Sequence, residues 1–291
     1  MAVYSYSKLN TFKQCPLKFK FRYIDKIIPK IERTIEAHLG SVVHETLEWI
    51  YKQVKKAETK KQIPSLDDVV IFYSKAWERD FTEDIIIVDE KLTFKDYYNR
   101  GIKFLIDYYK KHYPFDDGTI ELEKKITLKL DEEGKYEIIG YIDRLSQNIH
   151  TGEFEIHDYK TGSLPSREDI ENDKQLSLYA IAIKEIYGKD KEVILNWHYL
   201  AYNKKISSKK SNEELERLKK EIFELIKKIE STKEFIPIKS RLCEWCEYLE
   251  ICPAHNSAHN QNKQSNYQLN QTKNTDKYKE RYPTVFKYIK D

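Results

Sequence analysis

Near residue 120 the spacing of apolar side chains changes from a helical period to alternation, and few architectures accommodate both halves. Upstream, Ile35, Leu39, Val42, Val43, Leu47, Ile50 and Val54 recur at helical spacing over about 34–57. Residues 67–82 and 92–113 continue as amphipathic helices rich in aromatics such as Phe72, Trp77, Phe81, Phe104 and Tyr108. Downstream, ITLKL at 126–130, the polar turn DEEG at 131–134 and KYEIIGYIDRL at 135–145 read as a hairpin. EFEIHDYK at 153–160 is a third strand, a helix covers about 167–187, VILNWHYLAY at 193–202 is a fourth strand, and a charged helix over 211–232 ends near Phe235-Ile236-Pro237. This order predicts an α/β fold, a mixed central sheet flanked by helices, behind an N-terminal helical part. Ser7 is placed to cap a first helix carrying Leu9, Phe12, Leu17 and Phe19, with Pro16 marking a break or a fresh first turn. The expected divisions are 1–115 for the helical part, 116–240 for the core, 241–254 for a cysteine-bearing segment and 255–291 for a polar tail.

The third strand ends in an unusual way. If Phe154 and Ile156 face a core, Glu155 and His157 face away, and the strand finishes on Asp158, Tyr159 and Lys160 before Thr161-Gly162. Asp158 and Lys160, two apart, share one face. Asp143, in IIGYIDRL, lies at the end of the neighbouring strand. Two ionised carboxylates brought within a few ångströms repel unless a cation lies between them, and hard oxygen ligands favour Mg²⁺ or Mn²⁺. Lys160 is then positioned to stabilise charge on a phosphate oxygen or to orient an attacking water. In GSVVHE, Gly40 and His44 stand at i and i+4 on a helix, where His44 can offer an imidazole to the same cation. Gln175 and Tyr179 share the same spacing on the helix after the third strand. Glu123 is a weaker candidate, for a second cation or for packing. Taken singly, each has a plainer reading: a surface ion pair, a packed histidine, an amphipathic edge.

Cysteine is scarce: Cys15, then Cys243, Cys246 and Cys252 in a C-x2-C-x5-C array. One thiol far from a cluster of three is poor evidence for disulfides in a chain without a secretion signal. Four thiolates on one metal centre fit better. Zinc is one occupant, although structural zinc sites more often use two paired knuckles. An iron-sulfur cluster accepts irregular spacing.

No run of about 18 apolar residues is present, so no membrane partner is expected and a cytoplasmic location is the default. Residues 1–33 carry a net charge of +6 and residues 255–291 carry +4, leaving −7 for the middle of a chain whose net charge is +3. A basic rim around an acidic centre suits a polyanion held near a metal; the plainer reading is solvated lysine-rich ends. The 22 tyrosines include faces on which unpaired bases can stack, though most are expected to pack. Among the eight glycines no G-x-x-x-x-G-K-[ST] occurs, so ATP-driven unwinding must come from another protein. The Asn/Gln/Ser-rich stretch beyond Pro253 is expected to be disordered.

Gly-x-x-x-His, then Gly-Tyr-Ile-Asp-Arg, then Asp-Tyr-Lys-Thr-Gly, then Gln-Leu-x-x-Tyr, in that order, resembles the PD-(D/E)XK nucleases and within them the RecB-like branch, which includes CRISPR-associated spacer-acquisition nucleases. The resemblance implies a restriction-endonuclease-like core that hydrolyses phosphodiester bonds with Mg²⁺ or Mn²⁺, acting on DNA ends or single strands. It implies His44, Asp143, Asp158 and the Tyr159 carbonyl as metal ligands, Lys160 as the catalytic lysine, and Gln175 and Tyr179 in the following motif. Ile142 stands where the family name has proline. The resemblance also favours a 4Fe-4S cluster on Cys15, Cys243, Cys246 and Cys252, a structural staple that closes a loop around the core. A helicase or other DNA-processing protein is the partner such a nuclease implies. Two rivals stand beside it: a nuclease fold kept as an inactive DNA-binding or partner subunit, and a zinc-stapled regulator that binds duplex DNA.

Overall fold

The computed structural model describes residues 2–29, 33–82, 85–87, 89 and 91–255, so the expected disorder of the tail lies outside the described residues from 256 onward. Strand β1 (Ala2–Tyr4) leads into helices α1 (Tyr6–Gln14) and α2 (Pro16–Phe19), then a π-turn over Lys20–Ile24. Ser5, rather than Ser7, caps α1 by accepting from the Lys8 amide. Pro16 begins α2, where its missing N–H has no intrahelical partner to lose.

Helices α3 (Ile35–Lys56), α4 (Leu66–Arg79) and α5 (Phe94–His112) form one layer. Thr34 caps α3, and reciprocal Ser65–Asp68 and Thr93–Asp96 capping boxes start α4 and α5. The expected stripe of α3 is realised: Ile35, Leu39, Val42, Val43, Leu47 and Ile50 are buried, each stabilising the fold by roughly 1.5–3 kcal/mol, and Val54 packs at the margin.

The hairpin is β2 (Thr119–Lys129) and β3 (Tyr136–Gln147), turned at Gly134, whose φ of +65° favours glycine. Asp131 fastens the turn by accepting from the amides of Lys135 and Tyr136. Next come β4 (Phe154–Lys160), α6 (Arg167–Glu171), α7 (Gln175–Tyr187), β5 (Val193–Tyr199), β6 (Lys204–Lys209) and α8 (Asn212–Ser231). The helix expected over 167–187 is two helices, because Asn172 closes α6 and Asp173 accepts from the Gln175 amide to begin α7.

Six strands make one mixed sheet instead of four. β2 takes one edge of β3, antiparallel; β1, parallel, and β4, antiparallel, share the other. β4 and β5 run parallel across the α6–α7 crossover, and β6 closes the far side antiparallel. The α7–α8 layer and α1 cover one face, over Ile138, Ile156, Leu195 and Trp197; α3–α5 cover the other. Among the described residues no helix is long and apolar enough to cross a membrane.

Candidate active site

β3 and β4 carry the two aspartates to the end of the sheet that α3 crosses. Cα pairing runs from Gln147↔Phe154 to Arg144↔His157, so Asp143 and Asp158 are the next residues along the ladder. The Tyr159 amide donates to Asp143 Oδ2 at 2.9 Å. From α3, His44 Nε2 lies 2.7 Å from the Tyr159 carbonyl oxygen and Nδ1 lies 3.5 Å from Asp143 Oδ2. Lys160 Nζ is 2.7 Å from the buried Asp158 Oδ2, an ion pair that is that oxygen's one contact with a donor among the described residues.

Gln175 Nε2 donates to the Tyr179 hydroxyl at 3.2 Å, and both begin α7. Tyr179 lies against Gly140 so closely that a Cβ there would stand 2.4 Å from its Cε1. Its hydroxyl senses the charges of Asp158 and Asp143. The structure therefore gathers His44, Asp143, Asp158, Tyr159, Lys160, Gln175 and Tyr179 into one neighbourhood, although they come from two strands and from helices on opposite faces of the sheet.

Electrostatics set these groups apart. Burial alone would push His44 down, but the hydrogen bond and charge of Asp143, the charge of Asp158 and the Tyr159 carbonyl lift it to about 9. Burial raises Asp158 to about 6, with Lys160 opposing and Asp143 adding to the rise. Burial disfavours the Lys160 charge, but Asp158, Asp173 and Asp143 outweigh it and hold the ammonium above its ordinary range. Glu123 is also raised, by burial first and then by Asp143 and Glu48, which brings Glu48, one turn after His44, into the same field. No motif in the sequence singles out Glu48; its i+4 spacing from His44 is the one signal that points to it.

Glu123 has a left-handed φ of +44°. Leu122 packs with the α3–α5 layer whereas Lys124, two residues on, reaches the Tyr187 ring on α7. A regular strand would put both on one face, so the sides exchange at Glu123, opposite Asp143. β3 changes sides at the same level: Ile142 and Leu145 join the α7 core, and Arg144 between them turns toward α3.

The α3–α5 side of the sheet is polar and nevertheless buried. Arg144, fully buried, donates from Nε to the Tyr159 hydroxyl at 3.0 Å and from its terminal nitrogen to Asp117 at 2.5 Å and Thr119 at 3.0 Å. Its guanidinium lies 4.4 Å from the Tyr51 ring centroid. Tyr108 bridges Tyr51 and Tyr159 through hydroxyl contacts of 2.9 and 3.2 Å. His157 bonds Ser146 and His198, both at 2.9 Å.

Cys15, Cys243, Cys246 and Cys252 form no disulfide, are half-buried, and line a single pocket with Lys18, Phe21, Tyr248 and His255. Burial raises the Cys246 thiol, and the nearby Cys15 contributes to the rise. Among the described residues no three His, Cys, Asp or Glu side chains stand in a ready metal-binding group, at this pocket or at the aspartates.

A crystal structure of SSO0001 is similar over 88% of this chain and 87% of that one, with 14% identity and a TM-score of 0.39. A protein of Carboxydothermus hydrogenoformans, the B component of an ATP-dependent helicase/deoxyribonuclease, is 24% identical over 246 residues, 75% of this chain, which spans 22% of that relative's length. A family model described as the PD-(D/E)XK nuclease superfamily matches residues 3–253. With that match running from the first strand through the last cysteine, the chain belongs to the PD-(D/E)XK nuclease superfamily.

Proposed function

We propose that this protein is a divalent-metal-dependent DNA nuclease, an exonuclease acting on DNA ends or single strands, that hydrolyses phosphodiester bonds without ATP. The observation that carries it is the peptide of Tyr159: its N–H holds Asp143, its carbonyl faces His44, and it sits between Asp158 and Lys160. The donor set of two carboxylates, one carbonyl and one imidazole suits Mg²⁺ or Mn²⁺.

His44, Asp143, Asp158 and the Tyr159 carbonyl would hold that ion. When bound, it supplies Lewis-acid polarisation of a phosphoryl oxygen and an activated water. Lys160 keeps its charge and orients the attacking water or neutralises the developing phosphate charge. Gln175 and Tyr179 bound the same space and position the scissile group. The test is digestion of 5′- and 3′-labelled single and double strands with Mg²⁺ or Mn²⁺. Wild-type cutting abolished by Lys160→Ala supports the reading; undiminished cutting by the variant rejects the role of the lysine.

The four thiols around one pocket support a 4Fe-4S cluster, whose donor requirement they match; zinc is the alternative occupant. Joining Cys15 to the trio at Cys243, Cys246 and Cys252 ties the first helices to the end of the core, a loop closure worth on the order of several kcal/mol. The relative's name, which pairs a helicase with a deoxyribonuclease, supports a DNA-unwinding protein as partner, in DNA end processing or repair or in spacer acquisition.

A further inference from the structure

Metal-assisted hydrolysis at the aspartates leaves the buried guanidinium of Arg144 without a task. It follows Asp143 directly in sequence, but it turns to the opposite side of the sheet, where it is fully shielded from solvent. Enclosing a guanidinium is expensive unless it is paired, and here it is paired in part: Nε donates to Tyr159 and one terminal nitrogen to Asp117 and Thr119, while the other terminal nitrogen, also buried, has no hydrogen-bond partner among the described residues and the group lies over the Tyr51 ring. One of those partners, Tyr159, is the residue whose peptide links His44 to Asp143.

We propose that Arg144 is a positioning residue for the nuclease centre, acting through the Tyr159 hydroxyl to fix the Tyr159 peptide. Tyr159 is held at both ends. Its backbone N–H and carbonyl engage Asp143 and His44, and its phenol, on the α3–α5 side where its ring also packs edge-on against His44 at 5.8 Å between centroids, is clamped by Arg144 and braced by Tyr108. Displacement of the anchored ring would pull on the Tyr159 Cα and so on the N–H and carbonyl on either side of it, which contact Asp143 and His44. Outer-shell groups of this kind tune metal affinity or activity by about 10–100-fold, because a ligand's direction is set by what holds it from behind. The inference deepens the metal-site reading and rests on it.

The test uses full-length protein and Mn²⁺, read by titration calorimetry in the absence of DNA and by cleavage kinetics in its presence. Tyr159→Phe removes the hydroxyl and keeps the backbone. Tyr51→Phe is the control, since the Tyr51 hydroxyl belongs to the same buried network, bonding Tyr108 and Asp117, but does not touch Tyr159. Expected for Tyr159→Phe is a Kd for Mn²⁺ weakened about tenfold or more and a lowered kcat with KM for DNA unchanged; Tyr51→Phe lowers the melting temperature and leaves Mn²⁺ affinity as in wild type. Equal Mn²⁺ affinity in wild type and Tyr159→Phe, or equal weakening in both variants, overturns the positioning role. Wild-type protein that binds no Mn²⁺ overturns the metal-site reading, and this inference with it.

Discussion

His44 and Tyr159, 115 residues apart in the chain, meet with the imidazole Nε2 2.7 Å from the carbonyl oxygen. The contact requires a proton on Nε2. A neutral imidazole with its lone pair turned to that carbonyl would set two acceptors against each other, a conflict that a cation ligated by both, with the two atoms moved apart, would also remove. His44→Ala is therefore expected to lower cleavage by about 100-fold or more and to raise the Mn²⁺ concentration needed for half-maximal rate. Titration of metal against cleavage rate checks it; a variant with wild-type metal dependence counts against His44 as a ligand.

Gly140 is required by proximity and not by φ. A methyl group there would collide with the Tyr179 ring, so Gly140→Ala is expected to destabilise the fold by about 1–3 kcal/mol and to displace Tyr179, lowering cleavage as well. Thermal unfolding beside cleavage assays measures both effects, and an unchanged melting temperature would argue against the close contact.

Stability should fall in mild acid. Burial first, and then the Arg33 charge, hold His38 at about 4 in the folded protein against an ordinary 6.5. Below that ordinary value the unfolded chain takes up a proton that the folded chain refuses, so stability is full above it and is lost as pH falls toward 4. His112 lies at about 4, and burial likewise depresses His157 and His198. Urea unfolding of metal-free protein at about pH 7 and about pH 5 should show His38→Leu recovering on the order of 2 kcal/mol of the acid loss. Parallel losses in wild type and variant would contradict the assignment.

The cysteine pocket gives an independent test. Protein purified without oxygen is expected to be coloured and to contain iron, and Cys15→Ser and Cys246→Ser are each expected to lose both colour and iron and to melt at lower temperature. A colourless, iron-free, zinc-loaded wild type would replace the cluster with zinc.

The period change near residue 120 carried most of the architecture, because the helical stripe of α3 and the alternation of β4 both point at real cores: Phe154 and Ile156 face α7, while His157 faces away. Cap chemistry was less legible: Ser7 is the expected cap of the first helix, and Ser5, two residues earlier, fills that place. What escaped depends on tertiary pairing. β1 is three residues that become a strand only against Tyr136–Ile138, and β6 has few buried side chains to announce it. The polar side of β4 and β5 reads as solvent-facing, yet α5 covers it and buries His157 and His198 against each other and against Tyr108. The reversal at Glu123 is a backbone event, invisible to any pattern of apolar residues.

The most direct test of the central claim is anomalous diffraction from crystals soaked in Mn²⁺. A peak bounded by His44, Asp143, Asp158 and the Tyr159 carbonyl is the expected result. Mn²⁺ bound elsewhere, with those four groups keeping only their mutual contacts, would contradict it.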